Sequence, residues 1–372
     1  MNPADCVEKC LELARQARLV CPPNPAVGCV LTSASGELLG LGATQVTGGP
    51  HAEVMALRDA AQRGFPLAGA TAYVSLEPCA HHGRTGPCCE ALIHAGVKKV
   101  VASLADPNPL VAGQGFERLR AAGVEVFVGP GATESFELNL GFLSRMVRKT
   151  PWVRMKLAAS LDGKTALSNG VSQWITGEAA RADGHAWRAR ACAILTGVGT
   201  VLQDNPRLDV RGLDTPRQPA LVVVDSRLET PPNALLFEAK RHVTFYAAVP
   251  NDARQRALEA RGATVVYLSG QGEKVNLPAM LRDLAAREIN ELHVEAGHRL
   301  NGSLIREGLV DELLVYLAPK LVGQGCDMAS FGPLTELAQA LPLEFKSTAM
   351  LGQDLRILAR VAGHDRFLDA TG

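Results

Sequence analysis

The chain is organised around Pro50-His51-Ala52-Glu53, Ser75-Leu76-Glu77-Pro78-Cys79 and Gly86-Pro87-Cys88-Cys89. This stretch holds one imidazole, from His51, and two well-separated thiols, from Cys79 and Cys88. These three donors suit a tetrahedral zinc ion whose fourth position stays open. Glu53 lies two residues after His51, which is too close in sequence for a comfortable fourth ligand. It is well placed to take a proton from a metal-bound water and hand it to a leaving amine.

Two alternatives to a catalytic ion remain open at this point. A structural zinc ion normally has four protein ligands, and Cys89 or His82 could supply the fourth. Nothing structural requires Glu53, however, and the adjacent Cys88 and Cys89 would seldom both reach one metal comfortably. We interpret Cys89 as a packed thiol at a helix start. A disulfide between Cys79 and Cys88 is favoured less, because the chain has the character of an intracellular protein.

The spacing of these residues resembles a known family. The H-x-E … P-C-x(8)-C arrangement matches the signature of zinc nucleobase deaminases, although most of them have two residues between the cysteines. The longer segment from Pro78 to Cys88, including its Gly-Arg-Thr, resembles the deaminase half of the bifunctional riboflavin-biosynthesis deaminase/reductase. Gly86 stands where that family more often has a second proline, which changes the stiffness of the loop and not the ligand chemistry.

Composition restricts the class of protein. A length of 372 residues suggests two domains. Lys plus Arg and Asp plus Glu balance at 38 each, so no net field would attract nucleic acid. The nine cysteines are mostly scattered in apolar segments, which fits reduced thiols. We read no signal peptide and no spanning segment, and predict a cytoplasmic protein without membrane or nucleic-acid partners that could form a homo-oligomer.

The first half alternates β and α elements. Asp5 is expected to cap a helix that runs to about Val20. A strand over Ala26–Leu31 and a hairpin turning at Gly36 follow, and a helix is predicted over His51–Arg63. A buried strand over Ala70–Leu76 would deliver Cys79 at its end, and a second helix starting at Gly86-Pro87 would carry Cys88 in its first turn. The metal ligands would then lie on two helix starts and one strand end, which gives the rigid site that catalysis needs.

Substrate contacts in this half follow from the resemblance. In the family, the asparagine of Asn24-Pro25-Ala26-Val27-Gly28 contacts the substrate pyrimidine, and the positions of His81 and Arg84 also serve substrate. A plain turn asparagine and a merely polar loop are the alternatives. Thr44 occupies the place where the family usually has a histidine, so one expected substrate contact is altered.

The boundary between the halves falls at Arg148-Lys149-Thr150-Pro151. We predict a zinc-dependent pyrimidine deaminase domain over 1–147 and an NADPH-dependent reductase domain over 151–372. The resemblance implies an α/β fold class, with a cytidine-deaminase-like three-layer domain followed by a dihydrofolate-reductase-like α/β domain.

Residues of the second half are assigned mainly by resemblance. Lys156 lies in an apolar strand, where burial is costly unless the ammonium meets an anion, and a snorkelling lysine is the alternative. Lys156 and Asp204 are the candidates for orienting or protonating groups near the hydride acceptor. NADPH would be held by Ala158, Trp174, Thr200, Asp204, Ser226, Gly297, His298, Arg299, Leu300, Asn301, Gly302 and Ser303. The phosphorylated substrate would be surrounded by Ser172, Arg188, Leu208, Arg211 and Glu295. An arginine fork pairs two-pronged with phosphate, which supports Arg188 and Arg211.

The resemblance covers the chain from about Asp5 to Val361 and implies two consecutive steps of riboflavin synthesis. The first is zinc-hydroxide deamination of 2,5-diamino-6-(phosphoribosylamino)pyrimidinone, with Glu53 moving the proton. The second is NADPH reduction of the ribosyl group to ribityl. The alternatives are a nucleoside or nucleic-acid deaminase, a zinc-binding interaction module without activity, and a deaminase whose reductase half is degenerate.

Overall fold

The computed structural model describes residues 1–81, 86–108 and 111–367. The chain divides into two compact units, Met1–Arg148 and a second that begins at Lys149. Each unit has its own sheet and its own buried apolar clusters, and each is described by itself below.

The first unit is built on a sheet of five strands among its described residues, in the order β2-β1-β3-β4-β5. The strands are β1 (Gly28–Thr32), β2 (Leu38–Ala43), β3 (Thr71–Val74), β4 (Lys99–Ala102) and β5 (Glu125–Val128). The helices are α1 (Pro3–Ala17), α2 (Ala52–Gln62), α3 (Cys88–His94), α4 (Gln114–Ala121) and α5 (Ala132–Arg148). Strand β1 is antiparallel to β2 and β3, whereas β3, β4 and β5 are parallel.

Alternate residues of this sheet face two helix layers. Tyr73 on β3 is paired with Val30 on β1 and with Val101 on β4. This row is buried with Cys6 and Cys10 of α1. Strand residues of the opposite parity point to the other face, because side chains alternate along a strand. Helix α2 packs against β1 and β2.

The start of α1 differs from the prediction. Asn2, and not Asp5, is the N-cap: its side chain accepts a hydrogen bond from the Asp5 N–H, and the Asp5 carboxylate accepts one from the Asn2 N–H. This reciprocal pair is a capping box, in which the third helical residue supports the cap. The helix also ends at Ala17, short of Val20.

Helix α2 packs unusually close to β2. A Cβ added to Gly42 would lie 2.0 Å from the Ala52 carbonyl oxygen, and one added to Gly40 would lie 2.3 Å from that of Ala56. Ala52, Ala56 and Ala60 recur every four residues and so line one face of the helix. The two glycines and three alanines form a small-residue seam that fixes the beginning of α2 against the sheet.

The second unit contains a nine-stranded sheet and a two-stranded one within its described residues. The strands are β6 (Trp152–Ser160), β7 (Lys164–Leu167), β8 (Ala193–Gly197), β9 (Ala220–Val224), β10 (Val243–Ala247), β11 (Thr264–Tyr267), β12 (Glu291–Val294), β13 (Glu312–Ala318), β14 (Gly325–Asp327), β15 (Leu343–Leu351) and β16 (Asp354–Val361). The helices are α6 (Glu178–Arg190), α7 (Val198–Asp204), α8 (Asp252–Glu259), α9 (Leu277–Ala286) and α10 (His298–Arg306). The large sheet runs β11-β10-β9-β8-β12-β6-β13-β16-β15, and is parallel except at β13-β16 and β16-β15.

Strand β6 separates an apolar face from a charged one. Met155 and Leu157 belong to the main core, together with residues of α9 and α10. Arg154 and Lys156 have the opposite parity. Arg154 is buried between Glu291, at 2.9 Å, and Glu312, at 2.6 Å, and its guanidinium also lies over the Trp187 ring of α6. The charged face of the sheet is therefore the one that α6 covers.

Throughout the described ranges, the chain has no helix that combines the length and the apolar character needed to cross a membrane.

We expect Gly42→Ala to lower the free energy of unfolding of the first unit by about 1–3 kcal/mol, the usual cost of overpacking. The new methyl group would meet the backbone of α2, which cannot yield as a flexible side chain does. Chemical denaturation followed by circular dichroism measures the change. The control is Arg58→Ala on the exposed side of the same helix, which should stay within about 0.5 kcal/mol. An equal loss of unfolding free energy in both variants would contradict the close packing of α2 on β2.

Candidate functional site

Three different element ends bring His51, Cys79 and Cys88 together. His51 is the N-cap of α2, and its side chain makes no capping hydrogen bond. It lies just before the helix and not in the first turn as predicted. Cys79 follows the end of β3, and Cys88 is the first residue of α3. The His51 Nδ1 atom lies 3.2 Å from Cys88 Sγ and 3.5 Å from Cys79 Sγ.

The donor set fits zinc. Among the residues that the structure describes, these three form a group whose ligand atoms all lie within 4.8 Å of one another. Zinc bonds of about 2.1 Å to nitrogen and 2.3 Å to sulfur would place such ligands about 3.6 Å apart in a tetrahedron. The observed N···S separations are close to this value. One imidazole and two thiols leave one tetrahedral position for a non-protein ligand.

The two thiols are in different electrostatic states. The pKa of Cys79 is lowered to about 4, mainly by a hydrogen bond from Cys88 and also by His51. The pKa of Cys88 is raised, because it donates to Cys79 and is buried. The backbone N–H of Cys88 also points to Cys79 Sγ, at 3.4 Å. Zinc binding would therefore release the proton of Cys88 and be coupled to pH.

Glu53 lies one residue inside α2 and is buried beside the three ligands. The pKa of its carboxyl is raised to about 7, chiefly by burial and also by the Cys79 thiolate, against the opposing effect of His51. The carboxyl group also forms a hydrogen bond with Cys88. A carboxyl group with a pKa near neutrality can both accept and return a proton.

Cys89 points elsewhere. It is buried as the second residue of α3, and its backbone N–H donates to the Cys79 carbonyl oxygen at 3.2 Å. Its thiol does not belong to the group of three ligand atoms found among the described residues. His82, the other candidate for a fourth ligand, lies outside the described residues.

The predicted substrate residues of this unit are only partly described. Asn24 is half-buried in the turn before β1, and its N–H donates to the Cys21 carbonyl oxygen. His81 is half-buried, and its Nδ1 has no hydrogen-bond partner among the residues that the structure describes. Arg84 lies outside the described residues. Thr44 is buried, and its hydroxyl accepts from the Val27 N–H at 3.1 Å. In this chain that position braces the first hairpin.

A second cluster of charges lies on the α6-covered face of the large sheet. Glu295, just after β12, is paired with Arg188 of α6 through two N–H groups, one of them at 2.9 Å. Lys156 Nζ lies 3.6 Å from the same carboxylate. Burial opposes ionisation of Glu295, but Arg188 and Lys156 outweigh it and hold its pKa well below the ordinary value. Lys156 therefore meets the anion that its position in the strand requires.

The partner of Arg188 in the structure is not the one that the sequence suggested. Its two-pronged partner is Glu295, where the sequence suggested phosphate, and its Nη1 donates to the Asp209 carbonyl oxygen at 3.0 Å. Arg211 forms an ion pair with the Asp209 carboxylate, and its backbone N–H donates to His185 Nδ1 at 3.2 Å. Of the other predicted substrate and hydride-site residues, Leu208 is buried, Ser172 is half-buried and Asp204 is exposed. Asp204 belongs to none of these ion pairs.

The predicted cofactor residues concentrate around the starts of α7 and α10. A Cβ on Gly297 would lie 3.6 Å from Thr200 Oγ1, and one on Gly197 would lie 3.2 Å from Leu300. His298, Arg299 and Ser303 are within α10, and Ala158 is half-buried on β6. Trp174 is largely exposed, with Arg181 4.6 Å from its ring. The Ser226 carbonyl oxygen accepts from the N–H groups of Ala248 and Val249.

Asn301 and Gly302 contact other residues of the second unit. The Asn301 side chain donates to the carbonyl oxygens of Ala296 and Met328, at 3.1 and 3.0 Å. A Cβ on Gly302 would meet the Ser330 carbonyl oxygen at 1.9 Å. Asn301 therefore braces the turn between β12 and α10, and Gly302 lets α10 lie against the backbone of Ser330.

The sequence did not indicate three polar residues of these sites. Asp209 orients Arg211, and His293 Nε2 lies 3.5 Å from Glu295, with a pKa lowered chiefly by burial. Glu77 is buried beside the Cys79 turn. The sequence does carry a signal for two of them: His293 is an ionisable residue in an apolar strand, and Glu77 lies two residues before the ligand Cys79. No feature of the sequence indicates that Asp209 pairs with Arg211.

Comparison with known proteins identifies the family of each half of the chain. The family model for the cytidine and deoxycytidylate deaminase zinc-binding region matches residues 2–104, and the model for the RibD C-terminal domain matches residues 151–357. The chain is 43% identical over 360 residues to the riboflavin biosynthesis protein RibD of Escherichia coli (strain K12), covering 93% of this chain and 96% of that protein. The chain belongs to the RibD family.

Solved structures of the RibD family have the same fold. RibD of Acinetobacter baumannii is 38% identical with a TM-score of 0.87, covering 96% of this chain and 98% of that one. The diaminohydroxyphosphoribosylaminopyrimidine deaminase/5-amino-6-(5-phosphoribosylamino)uracil reductase of Thermotoga maritima is 30% identical, with a TM-score of 0.85 and the same coverage.

The predicted α/β fold class and family are confirmed. As a RibD family member, the chain is a bifunctional deaminase and reductase of riboflavin biosynthesis, with zinc and NADPH as cofactors. A deaminase with a degenerate reductase half is not favoured, because the RibD C-terminal model matches the second unit.

We expect Cys88→Ser to lose most of its bound zinc and Cys89→Ser to keep one zinc per chain, because only the first thiol faces His51. The two residues are adjacent and both buried, so each variant controls for the packing change in the other. Metal analysis of the purified variants measures the content. Equal zinc loss in Cys89→Ser would mean that this thiol completes a closed structural site.

Proposed function

We propose that residues 1–147 form the deaminase domain and residues 151–372 the reductase domain. They would act in turn on 2,5-diamino-6-(phosphoribosylamino)pyrimidinone, a small phosphorylated pyrimidine. The observation that carries the first half of this proposal is the meeting of His51, Cys79 and Cys88 around a buried Glu53.

In the deaminase domain, His51, Cys79 and Cys88 would hold zinc. The chemistry that zinc supplies when bound is Lewis acidity, which makes a water molecule nucleophilic near neutral pH. The Glu53 carboxylate accepts a proton from the attacking water and delivers it to the amino group that leaves as ammonia. Burial suits Glu53 to this task, because it brings the pKa of the carboxyl near the working pH.

Asn24, His81 and Arg84 would contact the substrate. The Nδ1 of His81 supports this assignment, because it is buried without a hydrogen-bond partner among the described residues and a ligand could supply one. The side-chain amide of Asn24 would pair with the pyrimidine edge.

In the reductase domain, Lys156, Arg188 and Glu295 would form the floor of the substrate site, with Ser172, Leu208 and Arg211 around it. The chemistry that NADPH supplies when bound is hydride transfer. Lys156 would orient or protonate the group that accepts the hydride, aided by Asp204. The adjoining starts of α7 and α10, with Thr200 and Gly297, would hold the cofactor together with Ala158, Trp174 and Ser226.

We propose a small-molecule substrate without nucleic acid and a cytoplasmic location. The first is supported by the equal numbers of acidic and basic residues. The second is supported by the cysteines at positions 6, 10, 21, 29, 79, 88, 89, 192 and 326, which are all free thiols.

We expect Glu53→Gln to slow ammonia release by a factor of about 10²–10⁴, the usual contribution of a general acid–base group, with zinc still bound. Lys156→Met should slow NADPH oxidation by a factor on the order of 10² and leave ammonia release intact. Both are measured by supplying the diamino pyrimidine phosphate, or the deaminated intermediate, to zinc-loaded protein with and without NADPH.

Each variant is the control for the other, because the two activities lie in different units. Ammonia release that survives Glu53→Gln would refute the role of Glu53. Failure of the unaltered protein to oxidise NADPH with the intermediate would refute the reductase assignment.

We also propose a homo-oligomer formed through β15. This strand is the edge of the large sheet, and Phe345 and Met350 on it are 73% and 63% exposed. An exposed edge strand is a template for pairing with another strand, and antiparallel pairing with β15 of a second copy would close a dimer.

We expect Phe345→Lys to halve the mass measured by light scattering, because the charge would oppose its own symmetry copy. Val46→Lys, at an exposed apolar site of the first unit, should leave the mass unchanged. A monomeric parent protein, or an unchanged mass in Phe345→Lys, would refute this contact.

A further inference from the structure

Glu77 is a buried carboxylate that neither proposed mechanism uses. Among the described residues, its two oxygens accept from four backbone N–H groups, those of Asp106 (3.2 Å), Gly113 (3.1 Å), Gly115 (2.9 Å) and Phe116 (3.3 Å). A carboxylate only accepts hydrogen bonds, and here both of its oxygens accept two each. All four donors come from the segment 106–116, of which 106–108 and 111–116 are described.

Two of these donors are the start of a helix. Gly115 and Phe116 are the second and third residues of α4, and the N-cap Gly113 has no side chain to satisfy them. The first N–H groups of a helix lack partners within the helix and carry partial positive charge. Glu77 therefore caps α4 from another element and ties it to the end of β3.

The same contact reaches a metal ligand through the backbone. A Cβ added to Gly115 would lie 2.0 Å from the Pro78 carbonyl oxygen and 3.1 Å from Glu77 Oε1, so α4 begins directly against the turn that carries Cys79. On its other side, Cys79 is held by α3: its carbonyl oxygen accepts from Cys89 and its Sγ lies 3.4 Å from the N–H of Cys88. The Cys79 turn is clamped between two helix starts.

We propose that Glu77 is a positioning residue of the deaminase site, which fixes the Glu77-Pro78-Cys79 turn against α4 and so sets the direction of the Cys79 sulfur toward the metal. The inference rests on the proposed deaminase function, but its effect is on metal binding and can be measured without substrate. A group that supports a ligand from behind typically changes metal affinity or activity by 10–100-fold when removed.

The test is Glu77→Gln, which keeps the size of the side chain and replaces one acceptor oxygen by a donor that faces N–H groups. We expect zinc to bind 10–100-fold more weakly in competition with a chelator. The thiolate-to-metal absorption band of the cobalt-substituted protein should change, and kcat for ammonia release should fall. NADPH oxidation by the same chain, with the intermediate supplied, should be unaffected.

The matched control is Asp59→Asn. The Asp59 carboxylate also accepts a backbone N–H, that of Leu41 at 2.8 Å, and it braces the same unit near the end of α2. Asp59→Asn should lower stability and leave zinc affinity and the cobalt spectrum as they are. If Glu77→Gln changes only stability, with zinc affinity and kcat within about twofold of the parent, the positioning role is wrong.

If Glu77→Gln does not fold, Glu77→Asp tests the positioning role instead. It keeps the charge but shortens the side chain by one methylene, so zinc should be lost several-fold faster than from the parent. Parental zinc affinity in that variant would overturn the inference. Failure of the deaminase proposal itself would be seen separately, as a zinc-loaded parent protein that releases no ammonia.

Discussion

The deaminase site depends on the close contact between α2 and β2. Because Gly40 and Gly42 have no side chains and the facing residues of α2 are alanines, the helix lies directly on the sheet. Such a contact leaves little freedom to shift, since any added atom meets backbone. It places His51 at the cap and Glu53 in a buried position. Burial is the largest cause of the raised pKa of Glu53, so the packing that positions the carboxyl group also tunes it.

The metal ligands could be predicted from the sequence, because a histidine and two cysteines with a nearby glutamate have a chemistry that few other combinations share. The contacts behind them could not. Glu77 acts on backbone N–H groups 29 to 39 residues away, and such groups leave no mark on residue type. The cap of α1 was misassigned for a related reason. Asn2 and Asp5 are both good caps, and only the geometry shows which one begins the helix.

In the second unit, residue types were a weaker guide, because its site is assembled from residues between Lys156 and Ser303. Arg188 suggested phosphate, yet its fork is engaged by Glu295. The cluster still favours an anion. Arg188 and Lys156 carry two positive charges against the one negative charge of Glu295, and burial keeps His293 neutral by lowering its pKa. The net positive charge in a partly buried setting would attract a phosphorylated substrate even though one arginine is already paired.

The two sites are held by different forces. In the first unit, the ligands are fixed by element ends and backbone hydrogen bonds, which suits a metal centre that must keep one geometry. In the second, the side chains hold one another through ion pairs, and these can exchange partners when a charged ligand arrives. A buried ion cluster of this kind contributes little to stability, since apolar residues of similar size would often do as well or better. Its presence on the face covered by α6 is therefore better explained by ligand binding than by folding. This argues on physical grounds for a working reductase half.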